Sequence, residues 1–125
     1  MDRIKTNRAP NAIGPYSQGT NFGDFIFTSG QIAINPKTGD LVIDDFKTEV
    51  LQVLDNINGV LESGGSGKNH IIKLTVFLVD IKKFQIVNDL FEEYFKHGYP
   101  SRSVVEVSAL PLGVNIEIEA IGSLI

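Results

Sequence analysis

Apolar residues recur at two spacings along the chain, and the change of spacing separates strands from helices. Residues 25–29, 31–34 and 41–43 are short apolar runs that predict strands, with a turn over residues 35–39 that Asn35 and Pro36 open and Gly39 closes. Residues 71–79 give the strongest strand signal, and both faces of that strand are largely apolar, as in a central strand covered on each side. One predicted face carries Ile72, Leu74, Val76 and Leu78, and the other carries Ile71, Phe77 and Val79.

Two segments carry the helical spacing instead. Asp44 and Asp45 offer a helix N-cap, and the apolar stripe that follows contains Val50, Leu54, Ile57 and Leu61. The run GGSG at residues 64–67 ends this helix. Residues 84–95 predict a second helix, which HGYP at residues 97–100 breaks. Residues 102–107 and 114–121 then predict two last strands.

The predicted order β-β-β-α-β-α-β-β is that of an α+β layer domain, and we expect residues 1–125 to form one such domain. The strands can pair in a mixed sheet with both helices on one face. The opposite face would then leave large apolar side chains in water, at a cost of roughly 1.5–3 kcal/mol each. We therefore expect self-association, with uncovered sheet faces packed together in a closed, symmetric assembly.

Composition and charge narrow the possible functions. The chain has 125 residues, of which 42% are hydrophobic and 21% charged, a globular balance, and its formal net charge is -4. That charge argues against a nucleic-acid partner, because such proteins need a basic face. No cysteine is present, which excludes disulfides and a thiol nucleophile. No segment has the pattern of a signal peptide or a membrane span, so we expect a cytoplasmic protein without a membrane partner.

Arg102 is the most informative candidate residue, because it stands on a mostly apolar predicted strand. Its guanidinium is a rigid, permanently charged fork whose natural partner is a carboxylate or a phosphate. Glu117 and Glu119 alternate with apolar residues on the last predicted strand and so share one face. Two interpretations stay open: a structural Arg–Glu pair that closes a sheet face, or a site in which Arg102 holds a substrate carboxylate and a glutamate handles water and protons.

Three further residues allow both a structural and a functional interpretation. Tyr16 is either a surface aromatic or a phenol that the loop stiffened by Pro15 presents to a pocket. Gly30 is either a turn residue or a place where the backbone approaches a ligand. Asn88 lies inside a helix, where asparagine is a poor helix former, and it is either exposed or functional. The two histidines lack partners at metal-ligand spacing, so we expect no metal site.

Four motifs together resemble the RidA (YjgF-type) reactive intermediate deaminases. They are APNAIGPYSQG (residues 9–19), TSGQIAINPKTG (residues 28–39), PSRSVVEVSALP (residues 100–111) and IEIEAI (residues 116–121). Their order and spacing match the family from about residue 4 to the end. The resemblance implies a fold similar to chorismate mutase, with two helices on one face of a mixed sheet. It also implies a homotrimer with clefts between subunits.

The same resemblance implies an activity and its residues. Relatives hydrolyse enamines and imines such as 2-aminoacrylate to 2-keto acids and ammonia, with neither a metal nor an organic cofactor. Arg102 would grip the substrate carboxylate, and main-chain groups of Gly30 and Val104 would bind beside it. Glu117 would hold or activate water, and Tyr16 of the neighbouring subunit would add a catalytic hydroxyl. Asn88 would line the cleft. The family often has cysteine where this chain has Val104, so no thiol-dependent role is expected.

Two other functions compete with the deaminase. A non-catalytic regulatory module could bind a small carboxylate in the same cleft without turnover. A ribonuclease or translation inhibitor is an activity ascribed to some relatives, but the acidic balance and the lack of a histidine pair or basic groove disfavour it.

Overall fold

The computed structural model describes residues 1–125, in which six strands form one mixed sheet and two α-helices lie against it. The strands are β1 (Asp2–Ile4), β2 (Gly19–Phe22), β3 (Phe25–Thr28), β4 (Ile71–Leu78), β5 (Ser101–Glu106) and β6 (Ile116–Ser123). The helices are α1 (Phe46–Ser63) and α2 (Phe84–Tyr94). Across the sheet the strands run in the order β1-β2-β3-β6-β4-β5, and only β4 and β5 are parallel neighbours. The predicted α+β fold, a mixed sheet with two helices, is confirmed.

Both helices begin and end close to where the sequence predicts. Asp45 caps α1, because its side chain accepts a hydrogen bond from the Thr48 N–H at 3.1 Å. The Gly64 N–H closes the other end of α1 by donating to the carbonyls of Val60 and Leu61. No helix in the chain combines the length and the apolar composition that crossing a bilayer requires.

The hydrophobic core lies on one side of the sheet. A single cluster of 20 buried residues joins the inner faces of α1 and α2 to one face of the central strands. The strand residues in the cluster are Ile4 from β1, Ile26 from β3, Leu74, Val76 and Leu78 from β4, and Ile116, Ile118 and Ala120 from β6. Both helices therefore cover the same face of the sheet, and the buried side chains of β4 and β6 make up most of the sheet's share of the core.

Two of the predicted strands do not form. Residues 31–34 and 41–43 make only isolated bridges, one between Gln31 and Ile118 and one between Ile34 and Leu41. The buried Asn56 amide of α1 explains the difference, since it donates to the carbonyls of Ile32 at 3.1 Å and Ile34 at 2.9 Å. These carbonyls are thus satisfied by a side chain and need no neighbouring strand.

The sheet also contains two strands, β1 and β2, that the sequence analysis did not predict. β1 and β2 are short and contain polar residues, so neither carries a clear apolar alternation. β2 pairs with β3 in an antiparallel hairpin whose turn contains Gly23 at a φ of 59°. The predicted loop over residues 7–19 is observed up to Gly19, where β2 begins.

A β-bulge at Ile72 corrects the predicted faces of β4. Ile71 pairs with Gly122 and Lys73 pairs with Ile121, which leaves Ile72 as an extra residue without a partner. Ile71 consequently packs against the core, while Ile72 is 41% exposed. The sequence pattern had placed Ile72 with Leu74 and Ile71 on the opposite face, because strict alternation takes no account of an inserted residue.

The face of the sheet away from the helices is rich in exposed rings, and we name it the open face. Its apolar residues are Phe22, Phe25 and Phe27 from β2 and β3, Phe77 from β4, Val105 from β5 and Ile121 from β6. Phe22 is 67% exposed, and Phe25, Phe27 and Val105 are between 40% and 44% exposed. An apolar patch that crosses five strands is unusual for a surface in contact with water, and the expected uncovered face is therefore present.

Candidate functional site

Arg102 lies on the edge strand β5 and points to the side of the sheet that carries the helices. It pairs in register with the core residue Leu74 of β4, so the two side chains share that face. The Arg102 Cζ atom lies 5.3 Å from the centre of the Phe84 ring and 5.6 Å from the centre of the Phe91 ring. Both rings belong to α2, which thus brings two aromatic faces to the guanidinium.

The guanidinium of Arg102 has no acidic partner within the chain. The structure contains one ion pair with a nitrogen–oxygen distance within 4.0 Å, and this pair joins Arg8 to Glu62 on the exposed surface. The interpretation of Arg102 and the C-terminal glutamates as an internal structural pair is therefore wrong. Without such a partner, all five N–H donors of Arg102 are available to an incoming anion.

A cavity of about 610 Å³ opens beside the Arg102 side chain. Its walls come from α2 and from the segment that leads into β5, and they consist of Gln85, Asn88, Phe91, Glu92, Phe95, Tyr99, Pro100 and Arg102. The structure thus brings Asn88 and Arg102 into the same cavity. Asn88 is half-buried, and its amide makes no hydrogen bond to other protein groups.

Val104 contributes main-chain groups to the free edge of the sheet next to Arg102. Val107 donates its N–H to the Leu78 carbonyl of β4 at 2.8 Å. Backbone groups alternate in direction along a strand, so those of Val105 and Ser103 also face β4 while those of Val104 and Arg102 point outward. The outward N–H and C=O of Val104 have no strand beside them. We call Arg102, Asn88 and Val104 the arginine half-site.

Glu117 lies on the open face, on the opposite side of the sheet from Arg102. It pairs in register with Phe77, whereas its neighbours Ile116 and Ile118 are buried in the core. Glu117 is two strands away from β5, which is about 10 Å across the sheet at the usual strand spacing. One chain therefore does not bring Arg102 and Glu117 into a common pocket.

Gly30 lies directly against the Glu117 side chain because the backbone bulges there. From Phe27 to Gln31 there are four residue steps, but their partners Ile121 and Ile118 are three steps apart. A Cβ atom at Gly30 would lie 2.9 Å from the Glu117 carboxyl carbon and closer still to one of its oxygens. Only glycine leaves room for the carboxyl group in this position. The Gly30 N–H makes no hydrogen bond within the chain, so it too is available to a ligand.

The electrostatic surroundings of Glu117 favour its protonated form. Partial burial raises the pKa of the Glu117 carboxyl above its ordinary value of 4.5, and the nearby Glu119 carboxylate raises it further. Glu119 lies two residues further along β6, on the same face. A carboxyl group whose pKa is moved toward neutrality is well suited to exchange protons with a substrate.

Tyr16 lies in a loop that is tied to the segment before Gly30, away from Arg102. The residue after it, Ser17, accepts a hydrogen bond through its carbonyl from the Ser29 hydroxyl at 2.5 Å. The Gln18 carbonyl accepts the Ser29 N–H at 2.9 Å, so the loop is tied to the segment that ends in Gly30. The Tyr16 ring is 51% exposed and does not line the cavity of Arg102. Tyr16 lines a different cavity, together with Arg3, Lys5 and Asn11. We call Glu117 and Gly30 the glutamate half-site.

Three residues near the half-sites were not found from the sequence. Phe84 and Phe91 fall within the predicted second helix, but nothing in the sequence pattern shows that their rings meet Arg102. Glu49 is fully buried on α1, and its two carboxylate oxygens accept the N–H and the side-chain amide of Asn115, each at 2.8 Å. This contact fixes the residue just before β6 and thereby the start of the strand that carries Glu117.

Comparison with known proteins identifies close relatives over nearly the whole chain. The sequence profile of a family described as Endoribonuclease L-PSP matches residues 6–123. A RutC family protein of Pyrococcus horikoshii is 50% identical over 118 residues, which are 94% of each chain. The 2-iminobutanoate/2-iminopropanoate deaminase of Escherichia coli (strain K12) is 48% identical over 121 residues, again 94% of each chain. The crystal structure of the YjgF gene product from E. coli is 44% identical, with a TM-score of 0.94 and 98% of both chains covered.

Proposed function

The chain belongs to the Endoribonuclease L-PSP family, which is the RidA (YjgF-type) family, and on that premise we propose that it hydrolyses reactive enamines and imines of small carboxylic acids. Its products are 2-keto acids and ammonia. The E. coli relative that bears the deaminase name is 48% identical across almost the entire chain. The one hydrophobic core supports treating residues 1–125 as a single domain that performs this reaction.

The unpaired guanidinium of Arg102 is the observation that carries the proposal. A charged fork that has no internal partner and opens on a cavity is suited to a bidentate carboxylate. Each substrate of the named relative carries one carboxylate beside its C=N carbon. Binding that carboxylate through Arg102 fixes the position of the reacting carbon, which removes translational and rotational freedom from the reaction.

The complete site is proposed to form between subunits of a homotrimer. The arginine half-site and the glutamate half-site lie on opposite faces of the sheet and do not meet in one chain. The exposed rings of the open face and the unpaired edge of β5 both favour contact with another copy. If the edge of one subunit lies along the open face of the next, Arg102 of the first faces Glu117 of the second. Closing this head-to-tail contact into a ring gives each interface one complete site.

The chemistry then requires one water molecule and three proton transfers. The enamine takes a proton on its terminal carbon and becomes an iminium ion whose positive charge lies on the C=N unit. Water attacks the C=N carbon and loses a proton, which gives the carbinolamine. The hydroxyl proton of the carbinolamine then moves to the amine nitrogen as the C–N bond breaks, so that ammonia leaves and the 2-keto acid remains. Glu117 can give the first proton and, once ionised, take the proton from the attacking water. The free Gly30 N–H lies beside that carboxyl group and can hold the water or the substrate.

An assay of the purified protein tests the function. We expect it to accelerate release of pyruvate from 2-aminoacrylate that a pyridoxal-phosphate dehydratase generates from serine, relative to the spontaneous reaction in the same buffer. The rate is followed while the dehydratase concentration is held in excess, so that formation of the enamine does not limit it. A release rate equal to the spontaneous rate at every protein concentration would contradict the deaminase. Saturable binding of pyruvate without acceleration would indicate a carboxylate-binding module instead.

Self-association has a test of its own at Phe27, near the middle of the open face. We expect the wild-type protein to sediment at three times the chain mass of 13.7 kDa. Phe27→Glu places a charge in the proposed interface, where burying it unpaired is costly, and should yield monomers with little activity. Ile86→Glu is the matched control, because Ile86 on α2 is 43% exposed and Phe27 is 40% exposed. A wild-type protein that stays monomeric at micromolar concentration, or a Phe27→Glu variant that keeps the wild-type mass, would contradict the trimer.

A further inference from the structure

We propose that Phe84 and Phe91 form an aromatic cradle that positions the guanidinium of Arg102 for the substrate carboxylate. This inference rests on the proposed function, and it assigns a role to two residues that the sequence pattern places only in the helix core. The two rings are positioning residues, since they act on the substrate through Arg102 and take no part in the proton transfers.

The geometry of α2 places the two rings side by side. Phe84 and Phe91 are seven residues apart, which is two helical turns, so they lie on one face of the helix. The Arg102 Cζ atom is 5.3 Å from one ring centre and 5.6 Å from the other. Both distances are within the range of about 6 Å in which a cation is attracted to the face of an aromatic ring.

Contact with aromatic rings leaves the hydrogen-bonding capacity of the arginine intact. An aromatic ring attracts a cation through the negative charge of its face and offers no oxygen or nitrogen acceptor, so the N–H donors of the guanidinium stay available to oxygen acceptors. A carboxylate partner would instead occupy two donors and neutralise the charge. The cradle therefore holds the guanidinium in place and leaves its N–H donors to the substrate carboxylate. The absence of an acidic group within 4.0 Å of Arg102 agrees with this.

The two rings contribute unequally to the fold. Phe91 is 4% exposed and also packs edge-on against Phe95, with ring centres 5.6 Å apart. Phe84 is 37% exposed and lies at the first residue of α2. Burial in the core is enough to account for the position of Phe91. Phe84 is only partly buried, so core packing alone does not account for its position beside the unpaired Arg102. Phe84 is accordingly the residue at which the cradle can be tested with the least damage to the fold.

The test compares Phe84→Leu with Phe84→Tyr in the full-length protein. Losing one ring contact is expected to raise KM about 2- to 10-fold with kcat nearly unchanged, because the contact supports substrate binding before and during the reaction. Phe84→Tyr keeps an aromatic face and should restore KM to within about twofold of the wild-type value. Ile86→Ala on the exposed side of the same helix is the control, and its kinetics should match the wild type.

Binding of pyruvate, followed by NMR chemical shifts, separates the cradle from the deaminase activity. We expect Phe84→Leu to weaken pyruvate binding by the same factor by which it raises KM, and Phe84→Tyr to restore it. An active wild type whose Phe84→Leu variant keeps both KM and pyruvate affinity overturns the cradle and leaves the function standing. A wild-type protein without activity overturns the proposed deaminase function, and the pyruvate affinities of the variants then still test the proposed cradle. If the wild type binds no pyruvate, or if Phe84→Tyr is as impaired as Phe84→Leu, the cradle is overturned.

Discussion

Arg102→Ala is expected to lower kcat/KM about 10²- to 10³-fold, which is the range for truncating one partner of a desolvated, hydrogen-bonded charge pair. The loss combines a weaker grip on the carboxylate with poorer alignment of the C=N carbon toward water. Steady-state rates of 2-keto acid release, measured against the spontaneous reaction, give the ratio directly. The free energy of unfolding should fall by no more than about 1 kcal/mol, because the side chain is exposed and forms no ion pair within the chain.

Arg8→Ala is the matched control for Arg102→Ala. Arg8 is also an exposed arginine, and its ion pair with Glu62 is of the surface kind that contributes about 0–1 kcal/mol. Both variants remove one guanidinium and one positive charge, but only Arg102 faces the cavity beside α2. Equal activity of the two variants would mean that general surface charge, and not a carboxylate contact at Arg102, supports the reaction.

The elements with a strong repeating pattern could be predicted from the sequence, and those shaped by long-range contacts could not. Both helices and β4 have long apolar stripes, and their observed bounds lie within about two residues of the predicted ones. Residues 31–34 have the composition of a strand, yet the Asn56 amide satisfies their carbonyls from 22 or more positions away in the chain. The bulge at Ile72 likewise depends on pairing with β6, which no local pattern contains.

The sequence indicates candidate site residues but not how those residues are arranged in space. The motifs name Arg102, Glu117 and Gly30, and alternation places Glu117 and Glu119 on one face, as observed. Alternation cannot show that Arg102 and Glu117 lie on opposite faces, because that depends on how β5, β4 and β6 pair. Nor can it distinguish a core phenylalanine from one whose ring also meets a guanidinium. These features follow only once the register of the sheet is known.

Glu117→Gln is expected to lower kcat for imine hydrolysis about 10²- to 10⁴-fold, the usual contribution of a placed proton-transfer group. The amide keeps nearly the same shape beside Gly30 but cannot take a proton from water. KM should change much less than kcat, because Arg102 remains free to bind the carboxylate. Glu62→Gln, an exposed glutamate that pairs with Arg8, is the control and should leave both constants unchanged.

The pH dependence of the same reaction assigns the proton transfer to Glu117. Hydrolysis of the imine begins after the protonation of carbon, so it needs only the carboxylate form of Glu117. The enzymatic rate divided by the spontaneous rate should therefore rise with pH through the pKa of Glu117 and then level off. Because burial and then Glu119 raise that pKa, the rise should lie above pH 4.5. Glu119→Gln removes the carboxylate repulsion and keeps the burial, so it should move the rise to lower pH without abolishing it. A rise that persists in Glu117→Gln, or that Glu119→Gln moves to higher pH, would assign the water-activating base to another group.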